Sequence, residues 1–177
     1  MKRVLLDTSV YGRLVEDGEF SLTLYKYIPQ DIVVYGNEII RKELRAISKE
    51  ARISGESKRK LLLRLYDSFV RKEKHVLKIT KFVEILANEY FNEYKEAKGA
   101  LSYKAMINDL KIIASASIHN LDIVISGDIK SMFSHSALKA YSKVNKKYQF
   151  RTPYFIEYSV FRNDIRGIIY DDWKQYQ

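Results

Sequence analysis

The sequence predicts an α/β fold in three layers, α/β/α, with a mainly parallel central sheet. Short apolar runs at residues 3–7, 31–35 and 122–126 predict strands, and the first is of the kind that is buried on both faces of a parallel sheet. Longer stretches with apolar residues at helical spacing separate these runs. This alternation of strands and helices is what a layered fold with a parallel sheet produces.

In the first half of the chain, the predicted strands are each followed by a helix start signal. Asp7-Thr8-Ser9 can cap a helix that begins near Val10, and the pair Gly36-Asn37 supplies a turn and an N-cap. A break at residues 54–57 precedes a further amphipathic stretch. The later helices predicted in this half span residues 21–27, 38–48 and 58–71.

In the second half, a short third strand is predicted at residues 76–79, and Thr80 caps a long helix that ends near Ala97. After a loop at residues 99–102, the apolar spacing predicts a helix over 107–119, which leads into the strand 122–126. A helix near 138–145 and a final strand near Phe150 complete the prediction.

The length of 177 residues suits one domain spanning 1–177, with an additional helix near 53–71 and a C-terminal tail, 154–177, whose conformation stays open. There is no cysteine, which excludes disulfides and zinc-thiolate sites and fits a reducing compartment. The apolar run Val4–Leu6 is too short for a leader or a membrane span. We therefore expect a cytoplasmic protein without a membrane partner.

The net charge is +9, from 31 basic and 22 acidic residues. Such a surface attracts polyanions, mainly nucleic acid, and would also suit an acidic protein. An ordinary solvated surface gives the same count. Charge alone therefore indicates a class of partner and no reaction.

Four acidic residues, Asp7, Glu43, Asp109 and Asp128, lie where the predicted fold could gather them. Open α/β sheets form their sites at the carboxyl ends of the strands. Asp7 ends the first strand, Asp128 follows the late strand by one turn residue, and Asp109 starts the predicted helix before it, where the helix dipole favours a carboxylate. Glu43 lies mid-helix beside the inward face. Each also has an ordinary explanation, as a cap, a turn residue or a solvated charge.

The order of the motifs carrying these acids resembles a known family. Residues 5–9 resemble the opening of PIN-domain nucleases, which include the VapC-type toxins, and residues 39–44 contain a helical Glu-Leu like the family's. Residues 108–116 are similar to the family's Asp-x-x-Ile-Ala-Ala helix. Residues 121–128 are similar to its strand ending in Thr-x-Asp, with Ser126 in place of threonine. The resemblance spans residues 4–128.

The resemblance implies a parallel-sheet fold in which the four acidic positions bind Mg²⁺ or Mn²⁺ and cleave RNA. It makes Ser9 a hydrogen-bonding helper and Ser126 a weaker one. Many members carry a further acidic or amide residue shortly after the fourth acid, where this chain has Lys130 and Ser131. Ser131 could orient a water molecule but is a poor metal ligand, so one metal site is a safer expectation than two.

Chemistry independently favours a metal at such a cluster. Four carboxylates close together repel one another, and some would stay protonated without a cation. Oxygen ligands without paired histidines or cysteines favour Mg²⁺ or Mn²⁺ over zinc. Basic residues near the acids in sequence could hold flanking phosphates, although solvated surface charge is the better explanation for any single one; these are Arg13, Arg41, Lys42 and Lys130.

The resulting hypothesis is a metal-dependent endoribonuclease. Family analogy adds that it is the toxin of a VapBC-type toxin–antitoxin pair, with an antitoxin protein as partner and a homodimer as a common assembly. Two alternatives stay open: an RNA-processing nuclease that is not a toxin, and a catalytically silent PIN-like module that binds RNA or a protein. The residue missing after Asp128 favours the silent module.

Overall fold

The computed structural model describes residues 1–170. The strands are β1 Lys2–Leu6, β2 Ile32–Asn37, β3 Arg52–Ile53, β4 Glu56–Ser57, β5 Val76–Leu77, β6 Ile123–Ser126 and β7 Tyr154–Glu157. The helices are α1 Thr8–Glu16, α2 Gly18–Tyr27, α3 Glu38–Ala46, α4 Lys58–Phe69, α5 Lys81–Glu96, α6 Tyr103–Ile118, α7 His135–Lys147, α8 Tyr158–Asn163 and α9 Ile165–Tyr170.

Five strands form a parallel central sheet in the order β5-β2-β1-β6-β7. β1 lies in the middle, where Val4 pairs with Val34 of β2 on one side and with Ile123 of β6 on the other. All four residues of β6 are buried, as expected for a strand covered by helices on both faces. The predicted parallel sheet is therefore confirmed. The middle strand, β1, and its neighbour β6 carry the site described below.

Helices cover both faces of the sheet. Helices α1 to α4 pack together in one layer, and α5, α6 and α7 pack together in the other. Their starts are capped as predicted: Asp7 accepts a hydrogen bond from Ser9 N, Asn37 from Ile39 N, and Thr80 from Val83 N. Because these caps follow strand ends or short loops, they fix where the helices leave the sheet. No helix within residues 1–170 has the length and apolar character that crossing a membrane requires.

Helix α6 begins earlier than predicted, at Tyr103 and not near Ile107. Ser102 caps it by accepting a hydrogen bond from Ala105 N, so the helix starts before its apolar periodicity does. Asp109 consequently lies in the second turn of α6 and not at its start. The helix dipole, which acts within the first turn, does not explain the position of this carboxylate.

The final strand is also displaced from its predicted position near Phe150. Phe150 stacks with Tyr148 outside the sheet, and β7 begins at Tyr154. Pro153 lacks an N–H and cannot join a strand ladder, which explains why pairing starts after it. Residues 154–157, whose conformation the sequence leaves open, thus form the edge strand beside β6. Residues 171–177 of the tail lie outside the described residues.

The break predicted at residues 54–57 is a hairpin. Its two short strands, β3 and β4, pair antiparallel across Ser54 and Gly55, both of which have positive φ. Two successive residues with positive φ are typical of a tight hairpin turn. Helix α4 follows directly and ends at Phe69.

Candidate active site

The candidate site lies at the carboxyl edge of the two central strands. Asp7 directly follows β1, and its backbone N donates a hydrogen bond of 2.9 Å to Ile125 O of β6. Asp128 follows β6 after the single turn residue Gly127. Because β1 and β6 are parallel neighbours, the two acids emerge side by side at the same edge of the sheet.

The Asp7 carboxylate is held by serines on one of its two oxygens. Asp7 Oδ2 accepts hydrogen bonds from Ser9 Oγ at 2.7 Å and from Ser126 Oγ at 2.9 Å, and a longer one from Ser9 N at 3.3 Å. Within residues 1–170, no donor contacts the other oxygen, Oδ1. The residue is only 6% exposed. Asp7 is therefore fixed in orientation while one oxygen keeps its lone pairs for a ligand.

The same two serines tie the Asp128 turn to Asp7. Gly127 N donates to Ser9 Oγ, and Asp128 N donates to Ser126 Oγ, both at 2.9 Å. Each serine therefore accepts from the turn after β6 while it donates to Asp7. This arrangement couples the positions of the first and fourth acids, and gives Ser9 and Ser126 a structural part in the cluster.

Ser131 bridges the third and fourth acids. Its Oγ lies 2.9 Å from Asp109 Oδ2 and also contacts Asp128 Oδ2. A hydroxyl has a single proton, so Ser131 cannot donate to both carboxylates at once. If it donates to Asp128, a proton on Asp109 completes the chain by donating to Ser131 Oγ. Asp109 and Asp128 are thus close enough to share one hydroxyl.

The pKa values of these two acids move in opposite directions. Burial, followed by the charges of Asp7, Asp128 and Glu43, raises the pKa of Asp109 to about 7 against the lowering effect of the Ser131 hydrogen bond. For Asp128, burial opposes ionisation, but hydrogen bonds from Ser131 and from the backbone of Lys130 outweigh it and lower the pKa. Asp109 consequently gains and loses its proton near neutral pH, where Asp128 is already ionised.

Glu43 is held at the edge of the cluster by two residues that the sequence analysis missed. Thr8 Oγ1 donates to Glu43 Oε2 at 2.5 Å, and Asn108 Nδ2 donates to Glu43 Oε1 at 2.8 Å. Thr8 and Asn108 directly adjoin Asp7 and Asp109, so helix α3 is joined to both. In the sequence, the one signal for these two residues was that each lies next to an acid within a motif. All four predicted acids are therefore neighbours in space.

The four carboxylates do not form a preassembled metal site. Within the described part of the chain, no three His, Cys, Asp or Glu side chains are arranged to hold a metal ion. Hydrogen bonds from serine, threonine and asparagine side chains instead occupy one oxygen each of Asp7, Asp109 and Asp128 and both oxygens of Glu43. The donor set itself fits a hard divalent cation, because it offers only oxygens. Burial and then the charges of Asp7, Asp128 and Glu43 raise the pKa of Asp109, and a bound cation would offset the part due to these charges.

The basic residues predicted near the acids have different environments. Arg13 lies against Gly127, where an added Cβ would stand 2.8 Å from Arg13 Nε, and it stacks over the Tyr158 ring at 5.4 Å. Lys130 is exposed beside Asp128. Arg41 instead makes a bidentate pair with Asp67, at 2.9 and 3.1 Å. Arg13 and Lys130 are thus placed to meet a phosphate at the cluster, and Arg41 is already engaged.

The sheet is parallel, and the carboxylates gather at its carboxyl edge. The protein is therefore an open-sheet α/β protein with its candidate site at the strand ends. The family model of the PIN domain matches residues 4–137, and the chain belongs to the PIN-domain family. All four acids lie within the matched residues. A comparison with curated protein sequences finds no significant match.

Solved structures of the same fold include toxin–antitoxin complexes. The chain is similar to one in VapBC2 from Rickettsia felis bound to a promoter DNA fragment, with a TM-score of 0.57, 11% identity and coverage of 88% of this chain and 98% of that one. It is also similar to a chain in FitAB bound to the IR36 DNA fragment, with a TM-score of 0.58, 18% identity and coverage of 88% of this chain and 94% of that one. A chain in DNA-bound VapBC from Salmonella typhimurium matches with a TM-score of 0.56, 12% identity and coverage of 89% of this chain and 99% of that one. At these identities the likeness shows the fold alone.

Proposed function

We propose that the protein is a divalent-metal-dependent endoribonuclease that hydrolyses RNA phosphodiester bonds at the Asp7–Glu43–Asp109–Asp128 cluster. The observation that carries this proposal is the gathering of four acids at one edge of the sheet, where burial and then the charges of the neighbouring acids raise the pKa of Asp109 to about 7. Strongly shifted carboxylates at a strand-end site are typical of catalytic groups. Membership of the PIN family supports the same activity.

In this proposal the four carboxylates hold Mg²⁺ or Mn²⁺. When bound, the ion lowers the pKa of a coordinated water and stabilises charge on the phosphate. Ser9 and Ser126 donate to Asp7 Oδ2, so Asp7 Oδ1 is available as a ligand. Thr8 and Asn108 hold Glu43. Asp109 has to release its proton before it can act as an anionic ligand.

Metal removal is the direct test of this activity. With single-stranded RNA, Mg²⁺ or Mn²⁺ should support cleavage, and a chelator should abolish it until the ion is restored. The measurement is the rate of product formation on a denaturing gel. The Asp128→Asn variant, purified identically, controls for contaminating nuclease. Equal cleavage by this variant and the wild type would contradict the proposed site.

A catalytically silent, RNA-binding PIN module is the second candidate. The observation that favours it is Ser131, which stands where a further metal-ligating residue is common in the family and which now occupies oxygens of two acids. Retained RNA binding without cleavage at any concentration of Mg²⁺ or Mn²⁺ would support this candidate. It would exclude the nuclease.

The finer proposal is a toxin role in the cytoplasm, with an antitoxin protein as partner and a homodimer as assembly. Its support is the fold shared with chains of VapBC and FitAB complexes, together with the basic net charge, which suits an acidic partner. An RNA-processing nuclease that is not a toxin has the same site.

Expression of the chain alone should therefore arrest growth, and co-expression of the small protein encoded beside it should restore growth. The measurement is colony formation after induction, with Asp128→Asn as the inactive control. Harmless expression of an active nuclease would reject the toxin role and leave the processing role.

A further inference from the structure

A recess lies beside the acid cluster, and its apolar lining is not used by the mechanism proposed above. It has a volume of about 300 Å³ and lies between helices α3 and α6. Its apolar lining comes from Ile39, Ala46 and Ile79. Glu43 and Asn108, joined by their 2.8 Å hydrogen bond, belong both to the recess and to the acid cluster. The recess is therefore continuous with the candidate active site.

Two lysines lie at the rim of the recess, whose lining also includes the Glu43 carboxylate. Lys42, on α3, is exposed and has no ion-pair partner among residues 1–170. Lys111, on α6, pairs with Glu84 at 3.0 Å, and its ammonium has further protons to donate. An apolar interior with Lys42, unpaired among the described residues, at its rim matches a ligand that joins a ring to an anionic group. A nucleotide has this combination.

We infer that this recess receives one unpaired nucleoside of a single-stranded RNA substrate, next to the phosphate cleaved at the acid cluster. The inference rests on the proposed function and adds to it a recess that binds one base beside the cleaved phosphate. The base contacts Ile39, Ala46 and Ile79, and the flanking phosphate meets Lys42. Because Glu43 and Asn108 belong both to the recess and to the acid cluster, the bound nucleotide is an immediate neighbour of the scissile phosphate.

The size and position of the recess favour single-stranded RNA over duplex RNA. A volume of about 300 Å³ is at the small end of ligand pockets, which suits one nucleoside and not several. In a duplex the bases are paired and stacked, so none can enter a recess between two helices without being extruded. The site should consequently prefer single-stranded RNA and should show one position at which the base matters.

Filling the recess is the sharpest perturbation. Ala46 is exposed at the end of α3, so Ala46→Phe can occupy the apolar interior without disturbing the core. The matched control is Ala100→Phe, at an exposed alanine in the α5–α6 loop outside the recess. For the rim, Lys42→Gln is compared with Lys60→Gln, an exposed lysine on α4.

The test uses an unstructured RNA with one cleavage position, in which each nucleotide in turn is replaced by an abasic ribose. For the wild type and Ala100→Phe, one abasic position beside the cut should lower kcat/KM about tenfold, the scale of losing one base contact. For Ala46→Phe, intact RNA should already be cleaved at that reduced rate, and no abasic position should lower it further. Lys42→Gln should raise KM more than Lys60→Gln does.

Cleavage without any sensitive position, or equal cleavage of the fully paired duplex, would overturn the inference and leave the nuclease intact. A binding measurement tests the recess even if the protein does not cleave RNA. Fluorescence anisotropy on Asp7→Asn, without cleavage, should show weaker binding of the abasic RNA, and Ala46→Phe in that background should remove the difference. If the wild type never cleaves RNA but this binding pattern holds, the nuclease proposal fails and the nucleoside recess stands.

Discussion

Replacement of Asp7 by asparagine is expected to lower RNA cleavage by more than about a hundredfold without unfolding the protein. Loss of a residue that merely supports a metal ligand costs roughly 10–100-fold, and Asp7 is proposed as a ligand itself. Asparagine keeps one carbonyl oxygen, which can accept the hydrogen bonds now made by Ser9 and Ser126. The amide nitrogen then replaces Oδ1, the oxygen left for the cation, and a donor cannot ligate it.

The fold should survive this change because asparagine and aspartate cap helices equally well. A matched control exists one helix later, where Asp17 caps α2 by accepting a hydrogen bond from Phe20 N at 3.1 Å. Asp17→Asn makes the same chemical change at a helix cap outside the acid cluster, and should leave cleavage within about twofold of wild type. The measurements are initial rates and thermal unfolding of both variants. Equal activity of Asp7→Asn and Asp17→Asn would remove Asp7 from the mechanism.

The sheet and its caps were predictable because their signals are local. A run such as Val4–Leu6 is apolar on every residue only where helices cover both faces of a strand. A cap such as Asn37 acts on an N–H two residues away. In contrast, the start of α6 depends on Ser102, which precedes the apolar periodicity that marks the helix. Periodicity locates the buried part of a helix better than its ends.

The acids were predictable as a set, but the contacts that hold them were not. The hydrogen bonds of Glu43 to Thr8 and Asn108 join residues 35 and 65 positions apart in the chain. No spacing within one helix or strand predicts such pairs. The recess between α3 and α6 depends in the same way on how two distant helices meet. Tertiary packing therefore decides which polar neighbours orient each acid, and which surface a substrate meets.

The second large effect concerns Asp109 and the stability of the metal-free protein. In the unfolded chain this carboxyl ionises near its ordinary pKa of 3.8, whereas burial and then the charge of Asp7 raise its pKa to about 7 in the fold. The folded state therefore binds the proton more tightly. The stability that this proton provides is complete below pH 3.8, declines as the pH rises, and is lost above about pH 7.

We consequently expect Asp109→Asn to stabilise the metal-free protein at pH 8 by about 1–3 kcal/mol, since each pH unit between the two pKa values is worth about 1.4 kcal/mol and partial exposure reduces the total. The asparagine Nδ2 can donate to Ser131 Oγ as a protonated Asp109 would. The measurement is the free energy of unfolding by urea at pH 5 and pH 8 in the presence of a chelator. The gain should be larger at pH 8.

Asp128→Asn is the control of opposite sign. Hydrogen bonds lower the pKa of Asp128 against the effect of burial, so its ionised form stabilises the fold at all pH values above the ordinary pKa of 3.8. This variant should lose stability at pH 8, where Asp109→Asn gains it. Addition of Mn²⁺ should then stabilise the wild type, by about 2.7 kcal/mol at a hundredfold excess over Kd, and neither variant to the same extent. A destabilised Asp109→Asn at pH 8 would mean that the cluster carries no electrostatic strain for a cation to relieve.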